Sequence, residues 1–285
     1  MNDILDRVGR LTALPTTVLR VGSMIAGGES TVAALEKVIR QDEALSMAVL
    51  RYANSARYGR PGRTFVLREG IARLGTELLK KIVLEHQAAG VFADAGGAYG
   101  LQRGALWRGA VGGAHAAEGL ARRAASVNAD LAFIAALLRD VGKLAFDAAH
   151  GEQHARRIAE AMTPDRSCLD AERAVYGFDH AELGAALATR WSLPERIAEA
   201  IAFHHAPPED PRRQNALFDI VHAADMVALW AGLGVGVDGL HYRLADHVRT
   251  RLNLDRPTVE LAMADAFAGV REVEASAQHA PGAPA

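Results

Sequence analysis

Apolar residues recur at intervals of three and four along most of this chain, which is the period of a helix with one buried face. Ser30-Thr31 and Asp42 can each cap such a helix. The apolar residues from Leu78 to Val83 belong to another helix, which follows a short one stopped near Gly75. No alternation of apolar and polar residues lasts beyond a few positions, as a half-buried strand would require. The pattern therefore predicts an all-α fold.

The same pattern predicts where the helical regions separate. The stretch from Ala93 to Gly104 is rich in glycine and weakly patterned. We interpret it as the junction between a first helical lobe, residues 1–95, and a second, residues 105–270. Residues 275–285 are mostly small and include prolines, which predicts a disordered tail. The apolar segment from Leu229 to Val237 is expected either to pack inside the protein or to form a dimer face.

Composition and charge limit the cellular compartments and the classes of partner that the chain fits. The 285 residues are 50% apolar and 23% charged, with a formal net charge of −2, so there is no basic excess for DNA or an anionic membrane surface. The single cysteine, Cys168, excludes an internal disulfide and suits a reducing compartment. No signal peptide and no apolar run of membrane-spanning length are evident. We therefore expect a cytoplasmic protein that binds neither membrane nor DNA.

One local pattern superficially matches a DNA-binding motif. A short helix, a turn at Gly75 and a helix carrying Lys80 and Lys81 have the order of a helix-turn-helix. The apolar residues of the second helix are better explained as core, and the chain has no basic stripe. The expectation of no DNA partner therefore stands.

A series of His and Asp residues in the second half of the chain has the order of a ligand set for two metals, broken at one position. In chain order the residues are His115, Arg139, Asp140, His180, His204, His205 and Asp225. Arginine has no lone pair to give and stays protonated, so Arg139 cannot ligate a metal. The sequence therefore predicts either a metal hydrolase with a damaged site or a protein that kept the scaffold and lost the chemistry.

A reading without metal accounts for the same residues. A lone His on an apolar helix face is more often a packing residue than a ligand. Asp140 and Asp225 lie among apolar residues, so each needs a metal, an arginine or backbone donors as its partner. Arg139 or Arg108 could supply a bidentate guanidinium to Asp140. An Arg–Asp–His network would then hold the helices together in place of a metal.

The position of Lys143 leaves two interpretations open. If the helix continues past Asp140, Lys143 lies on the same side and can neutralise a phosphate or a leaving group. If the helix stops at Gly142, Lys143 is a solvated surface residue.

These residues carry a resemblance to a known family. The segment 136–144, which contains Arg139-Asp140, resembles the motif of the HD superfamily, with Arg139 where the name-giving His belongs. Two further segments, 50–59 with Ala53-Asn54-Ser55 and 70–75 with Arg73-Leu74-Gly75, resemble the HDOD domain. The similarity covers roughly residues 8 to 250. It implies an all-helical, two-lobed protein of a family usually regarded as non-catalytic and found in bacterial signalling and regulation.

The related HD-GYP phosphodiesterases imply how the ligands would divide. By that analogy one metal would use His115, Asp140 and Asp225, together with the His that Arg139 replaces. The ligands of the second metal would be Asp140, His180, His204 and His205. This sequence departs from those enzymes at Arg139 and again after His205, where Ala206-Pro207-Pro208 stands in place of a Gly-Tyr-Pro element.

The resemblance leads to two functional expectations. The first is a stand-alone HDOD signalling protein without catalysis. It would bind signalling proteins, or a small anionic ligand such as a nucleotide or phosphate through Arg139, Lys143 and Arg108. The alternative is a phosphohydrolase with a single metal, in which Lys143 or Arg139 stabilises the phosphate. Three imidazoles and a carboxylate suit one transition metal, Fe, Mn, Zn or Ni.

Overall fold

The computed structural model describes residues 1, 4–6, 15–55, 57–59, 62–92, 94–125, 127–163, 166–237 and 242–278. Within these ranges the chain forms helices and no β-strand, which confirms the predicted all-α class. None of the helices in these ranges is both long enough and apolar enough to cross a membrane. The α-helices are α1 (Thr16–Gly27), α2 (Val32–Ile39), α3 (Glu43–Ala53), α4 (Leu67–Phe92), α5 (Ala105–Ala124), α6 (Ala129–Leu138), α7 (Val141–His150), α8 (Glu152–Ala161), α9 (Cys168–Tyr176), α10 (His180–Arg190), α11 (Glu195–Phe203), α12 (Ala216–Trp230), α13 (Asp246–Arg251) and α14 (Arg256–Gln278).

The chain divides into two compact units. The described residues of Met1–Leu14 and Val91–Gly269 form the larger unit, and those of Pro15–Gly90 and Val270–Ala285 form the smaller one. The division falls inside α4 and inside α14, so it differs from the predicted lobes at 1–95 and 105–270.

Local signals set the helix ends of the smaller unit. The side chain of Thr31 accepts a hydrogen bond from Ala34 N, and that of Asp42 accepts one from Leu45 N, so both predicted caps are confirmed. Gly75 has φ 74° and ψ 168° and interrupts α4 where the sequence predicts a stop.

The end of α14 belongs to the smaller unit for an identifiable reason. Glu272 accepts a hydrogen bond from the hydroxyl of Tyr58 at 2.6 Å and pairs with Arg57 at 2.9 Å. Val270 and Val273 are buried in the same stretch. The prediction of a tail from residue 275 is corrected for residues 275–278, which continue α14, while residues 279–285 lie outside the described residues.

The stretch interpreted as the inter-domain junction packs within the larger unit instead. The carboxylate of Asp147 accepts hydrogen bonds from Gly96 N at 3.2 Å and Ala98 N at 2.7 Å. Tyr99 is fully buried. Composition does not reveal this packing, because Asp147 lies about fifty residues from Gly96 and Ala98, whose backbone N–H groups it binds.

The segment after α12 packs partly against α5. A Cβ on Gly109 would lie only 3.0 Å from the Cα of Gly234, so the two backbones approach closely. Val237 N donates to Tyr99 O at 3.1 Å. Trp230 nevertheless keeps half of its surface exposed.

Close helix packing in the larger unit positions the residues of interest. A Cβ on Gly142 would overlap the carbonyl oxygen of His180, so α7 approaches the start of α10 as closely as backbone allows. Arg139 and Asp140 form the short turn between α6 and α7. Because α7 continues through Lys143, the interpretation of that residue as a solvated lysine after a helix stop is wrong, and its side chain is 6% exposed.

Candidate metal centre

Four of the predicted ligands converge in the larger unit. One ligand atom from each of Asp140, His180, His204 and His205 lies within 4.8 Å of the others. They come from the α6–α7 turn, the first residue of α10 and the two residues after α11. Their side chains are buried, the most exposed being Asp140 at 7%. This is the set that the resemblance assigns to the second metal.

The imidazole of His180 is oriented by a carboxylate that the sequence analysis missed. Its Nδ1 lies 2.8 Å from Glu172 Oε2, which also accepts a hydrogen bond from the backbone N–H of His180 at 2.8 Å. The hydroxyl of Tyr99 donates to Glu172 Oε1 at 2.5 Å. Burial alone would raise the pKa of Glu172, but His180 and Tyr99 hold it below its usual range. With Nδ1 on Glu172, the Nε2 atom of His180 faces the centre.

His204 also directs its Nε2 atom toward the centre, but a backbone carbonyl rather than a carboxylate orients its ring. Its Nδ1 donates to the carbonyl oxygen of Ile201 at 2.6 Å. A carbonyl only accepts, so Nδ1 carries the hydrogen and Nε2 carries the lone pair. Burial lowers the pKa of His204 to about 4, which keeps the ring neutral at physiological pH. Nε2 is buried without a hydrogen-bond partner and lies 3.9 Å from Asp140 Oδ1.

His222 fixes the turn that carries His204 and is not itself available as a ligand. Its Nδ1 donates to His204 O at 2.7 Å, and its Nε2 accepts a hydrogen bond from Ala245 N at 3.0 Å. Both ring nitrogens are thus engaged, and burial lowers the pKa of the imidazole.

His205 completes the group. Its Nε2 lies 2.9 Å from His180 Nε2, and its ring stacks on Tyr242 with centroids 4.1 Å apart. Its Nδ1 lies 3.7 Å from Asp225 Oδ2, and neither atom has a hydrogen-bond partner among the residues that the structure describes. Burial is the largest cause that holds the pKa of His205 well below 6.5. The 2.9 Å separation of the two Nε2 atoms requires either a hydrogen on one of them or a metal that both contact.

Arg139 occupies the position next to this group. Its Nε lies 2.7 Å from Asp225 Oδ1 and 3.3 Å from Asp140 Oδ2, while Nη1 donates to Ala136 O at 2.9 Å and Nη2 to Gly109 O at 3.2 Å. The side chain is 3% exposed. The structure thus contains the ion pair between Arg139 and Asp140 that the reading without metal requires.

A glycine on α5 makes room for the guanidinium. A Cβ on Gly113 would overlap Nη1 of Arg139. The packing of α5 is therefore matched to an arginine at position 139.

Lys143 adds a second buried cation. Its Nζ lies 3.0 Å from Asp140 Oδ1 and 5.3 Å from the centre of the Tyr99 ring. Burial would raise the pKa of Asp140, but Lys143 and then Arg139 hold it well below its usual range. Asp140 is therefore an anion that faces both cations and two of the imidazoles.

Two of the predicted site residues, His115 and Arg108, do not belong to the group of four converging ligands. The ring of His115 packs edge-on against Phe133 at 5.3 Å and lies beside Gly269. Arg108 lies half-buried on α5.

The charges of the centre favour a bound cation. Three buried carboxylates, Asp140, Glu172 and Asp225, surround the site, whereas Arg139 and Lys143 supply the fixed positive charges. A buried excess of negative charge is costly unless a proton or a metal compensates for it. A divalent metal at the four ligand atoms would supply that charge, and three imidazoles with a carboxylate match the donors that Zn, Fe, Mn and Ni accept.

The imidazole of His154 is buried among aromatic rings on the far side of Glu172. We expect this burial to make the stability of the protein depend on pH. It stacks on Phe146 at 4.6 Å and on Tyr176 at 5.4 Å, and burial, which outweighs the attraction of Glu172, lowers its pKa to about 4. In the unfolded chain the same imidazole becomes protonated near pH 6.5. The imidazole therefore destabilises the fold increasingly as the pH falls from 6.5 toward 4.

A His154→Phe variant should lose less stability than the wild type over that pH interval, by about 2–3 kcal/mol. Urea unfolding of metal-free protein at a series of pH values measures the difference. Parallel stability curves for the two proteins would mean that the imidazole is protonated equally in the folded and unfolded states.

Comparison with known proteins identifies the family. The family model of the HDOD domain matches residues 11–207, which is more than half of the chain. An uncharacterized protein from Treponema pallidum (strain Nichols) is 31% identical over 228 residues, which cover 78% of this chain and 43% of that protein. The chain thus spans less than half the length of this relative.

Two solved structures share the fold. An HDOD domain protein with unknown function from Geobacter sulfurreducens is 25% identical, with a TM-score of 0.71 and coverage of 97% of this chain and 94% of that chain. A proposed phosphohydrolase from Shewanella amazonensis SB2B is 23% identical, with a TM-score of 0.70 and coverage of 97% and 98%. The second likeness shows the fold alone. With the HDOD model matched over residues 11–207, the chain belongs to the HDOD family.

Proposed function

We propose that this protein is a regulatory module that binds one transition metal at Asp140, His180, His204 and His205 and has no hydrolytic activity. The observation that carries the proposal is the contrast between two adjacent positions. Four ligand atoms converge within 4.8 Å, whereas the neighbouring position beside Asp225 is filled by the guanidinium of Arg139. The metal would supply a fixed positive charge that links the α6–α7 turn, α10 and the end of α11.

Burial supports a regulatory role over catalysis. A catalytic zinc keeps an open coordination position for water or substrate. Here the side chains of His180 and His204 are fully buried, and Tyr242 stacks on His205. A phosphodiester would need these groups to move apart before it could reach the ligand atoms.

The partner would be a signalling protein or a small anion. Three buried carboxylates face Arg139 and Lys143, so a divalent metal leaves the centre with a slight excess of positive charge. That excess favours a phosphate or a nucleotide as the small ligand, with Arg108 as a further candidate contact on α5, and such an anion would also need the buried groups to move apart before it could reach Arg139 and Lys143. The single cysteine, Cys168, is buried and suits the reducing cytoplasm that we propose as the compartment.

The second candidate function is a phosphohydrolase with one metal. It is favoured by the three cationic groups of such a site, namely the metal, Arg139 and Lys143, which could stabilise the charge on a transferred phosphate. It requires water and substrate to reach the metal.

Elemental analysis by mass spectrometry, on protein purified without chelators or an immobilised-metal step, tests the metal centre. We expect about one equivalent of a transition metal per chain and less than about a tenth in a His204→Ala variant, because loss of one of four ligands weakens binding sharply. His247→Ala is the matched control, since His247 is 25% exposed and contacts Pro207 O. Absence of metal after incubation with Mn, Fe, Ni and Zn would overturn the proposal.

An assay with a chromogenic phosphodiester then separates the two candidates. The regulatory role predicts no turnover above that of the free metal ion. Turnover that is lost in His204→Ala and kept in His247→Ala would establish the phosphohydrolase instead.

A further inference from the structure

We infer that Glu172 is a positioning residue of the metal centre, which fixes His180 as a ligand through Nε2. The inference rests on the proposed metal binding and concerns a residue outside the four ligands. Glu172 lies on α9, is fully buried and contacts His180 through both the backbone and the ring.

The hydrogen bonds of Glu172 determine which nitrogen of His180 carries a hydrogen. Oε2 accepts from the backbone N–H of His180, and Oε1 accepts from the hydroxyl of Tyr99. An ionised carboxylate only accepts hydrogen bonds, and Oε2 already accepts one from a backbone N–H, which can only donate. The remaining contact, from His180 Nδ1 at 2.8 Å, is therefore donated by the imidazole. The lone pair of a neutral ring then lies on Nε2, directed toward His205 and Asp140.

The comparison with His204 shows why a carboxylate is used at this place. His204 Nδ1 donates to a backbone carbonyl within its own helix, three residues earlier. His180 is the first residue of α10, so no earlier turn of that helix offers a carbonyl to its side chain. A side chain from α9 supplies the acceptor instead. As an anion, Glu172 also makes the imidazole a stronger donor to a metal than a neutral carbonyl does.

Tyr99 secures Glu172 from the opposite side. Its hydroxyl engages Oε1, and its ring packs edge-on against the ring of His180 at 6.0 Å. The carboxylate is thereby held between two donors and cannot rotate without losing one of them. The stretch 94–104, which the composition suggested to be a linker, thus contributes to the orientation of a ligand.

The first test reads the hydrogen position directly and needs no metal. Nitrogen-15 NMR of the imidazoles in metal-free protein at mildly alkaline pH should show His180 with hydrogen on Nδ1 and none on Nε2, the signals being assigned by their loss in His180→Gln. In Glu172→Gln, whose amide can donate as well as accept, the fixed tautomer should give way to a mixture or to hydrogen on Nε2. A wild-type His180 with hydrogen on Nε2 would overturn the inference.

The second test measures metal affinity. Competition with a chromophoric chelator should show Zn²⁺ binding weakened roughly 10- to 100-fold in Glu172→Gln, and the Co²⁺-loaded variant should show altered visible absorption. Asp170→Asn is the control, because it makes the same carboxylate-to-amide change on an exposed part of the same helix. Tyr99→Phe removes one donor to the carboxylate and should weaken binding by a smaller factor, which keeps the test decisive if Glu172→Gln does not fold.

The outcomes distinguish the inference from the proposed function. A wild-type protein that binds no metal contradicts the metal centre, while the NMR result still decides the role of Glu172. A wild-type protein that binds metal with the same affinity and the same Co²⁺ spectrum as Glu172→Gln contradicts the inference and leaves the metal centre in place.

Discussion

Replacing Arg139 with methionine is expected to lower the free energy of unfolding by about 3–5 kcal/mol. Arg139 Nε lies 2.7 Å from Asp225 Oδ1 and 3.3 Å from Asp140 Oδ2, and all three side chains are buried. Methionine keeps much of the length of arginine and none of its charge. Both carboxylates would therefore lose this cation while staying out of water. Urea unfolding followed by circular dichroism measures the loss.

Arg40→Met is the matched control for this prediction. Arg40 pairs with Glu36 at 2.7 Å on α2, but its side chain is 57% exposed. An exposed pair at this spacing contributes about 0.3–0.5 kcal/mol. If the two variants lost stability equally, the buried guanidinium would be worth no more than a surface ion pair, and the description of Arg139 as a built-in replacement for a metal would have to be withdrawn.

The fold class and several helix ends could be predicted because their causes are local. A cap such as Thr31 or Asp42 acts within a single turn, and Gly75 stops a helix through its own backbone angles. The contact of Glu272 with Tyr58 could not be predicted, since it joins residues more than two hundred positions apart. That contact explains why the last helix extends past the predicted start of the tail.

The four candidate metal ligands could be identified from the order of motifs, and the residues that orient them could not. Asp140, His180 and the pair His204-His205 are recognisable because metal ligation restricts the residue type at each position. Glu172 is one glutamate among many in the sequence. The signal that could have found it is its place on the buried face of α9, four residues after Cys168, where an uncompensated carboxylate is costly.

The structure also explains how an arginine can stand where a metal ligand is expected. Nη1 and Nη2 donate to the backbone carbonyls of Ala136 and Gly109, and Gly113 leaves the space that the guanidinium fills. Nε faces Asp225, the carboxylate that the resemblance assigns to the first metal. The guanidinium is therefore held both by backbone carbonyls and by a carboxylate.

Asp140→Asn is expected to abolish metal binding and to destabilise the protein by about 3 kcal/mol. Asp140 takes part both in the candidate metal centre and in the buried ion pairs. Its Oδ1 lies 3.0 Å from Lys143 Nζ, and its carboxylate is one of the four converging ligands. Its Oδ2 lies 3.3 Å from Arg139 Nε. The amide keeps the shape and loses the charge. It would leave the buried ammonium of Lys143 facing a neutral group. Elemental analysis measures the loss of metal, and urea unfolding measures the loss of stability.

The double variant Asp140→Asn with Lys143→Met separates the two effects. Removing the ammonium together with the carboxylate should restore part of the stability, with a coupling of about 0.5–3 kcal/mol between the two changes. It should restore no metal, because the ligand oxygen stays neutral and the imidazoles of His180 and His204 alone do not supply its charge. Additive losses of stability would show that Lys143 and Asp140 do not interact across their 3.0 Å separation. Metal retained in Asp140→Asn would show that the carboxylate serves the ion pairs alone and that the metal centre needs only its imidazoles.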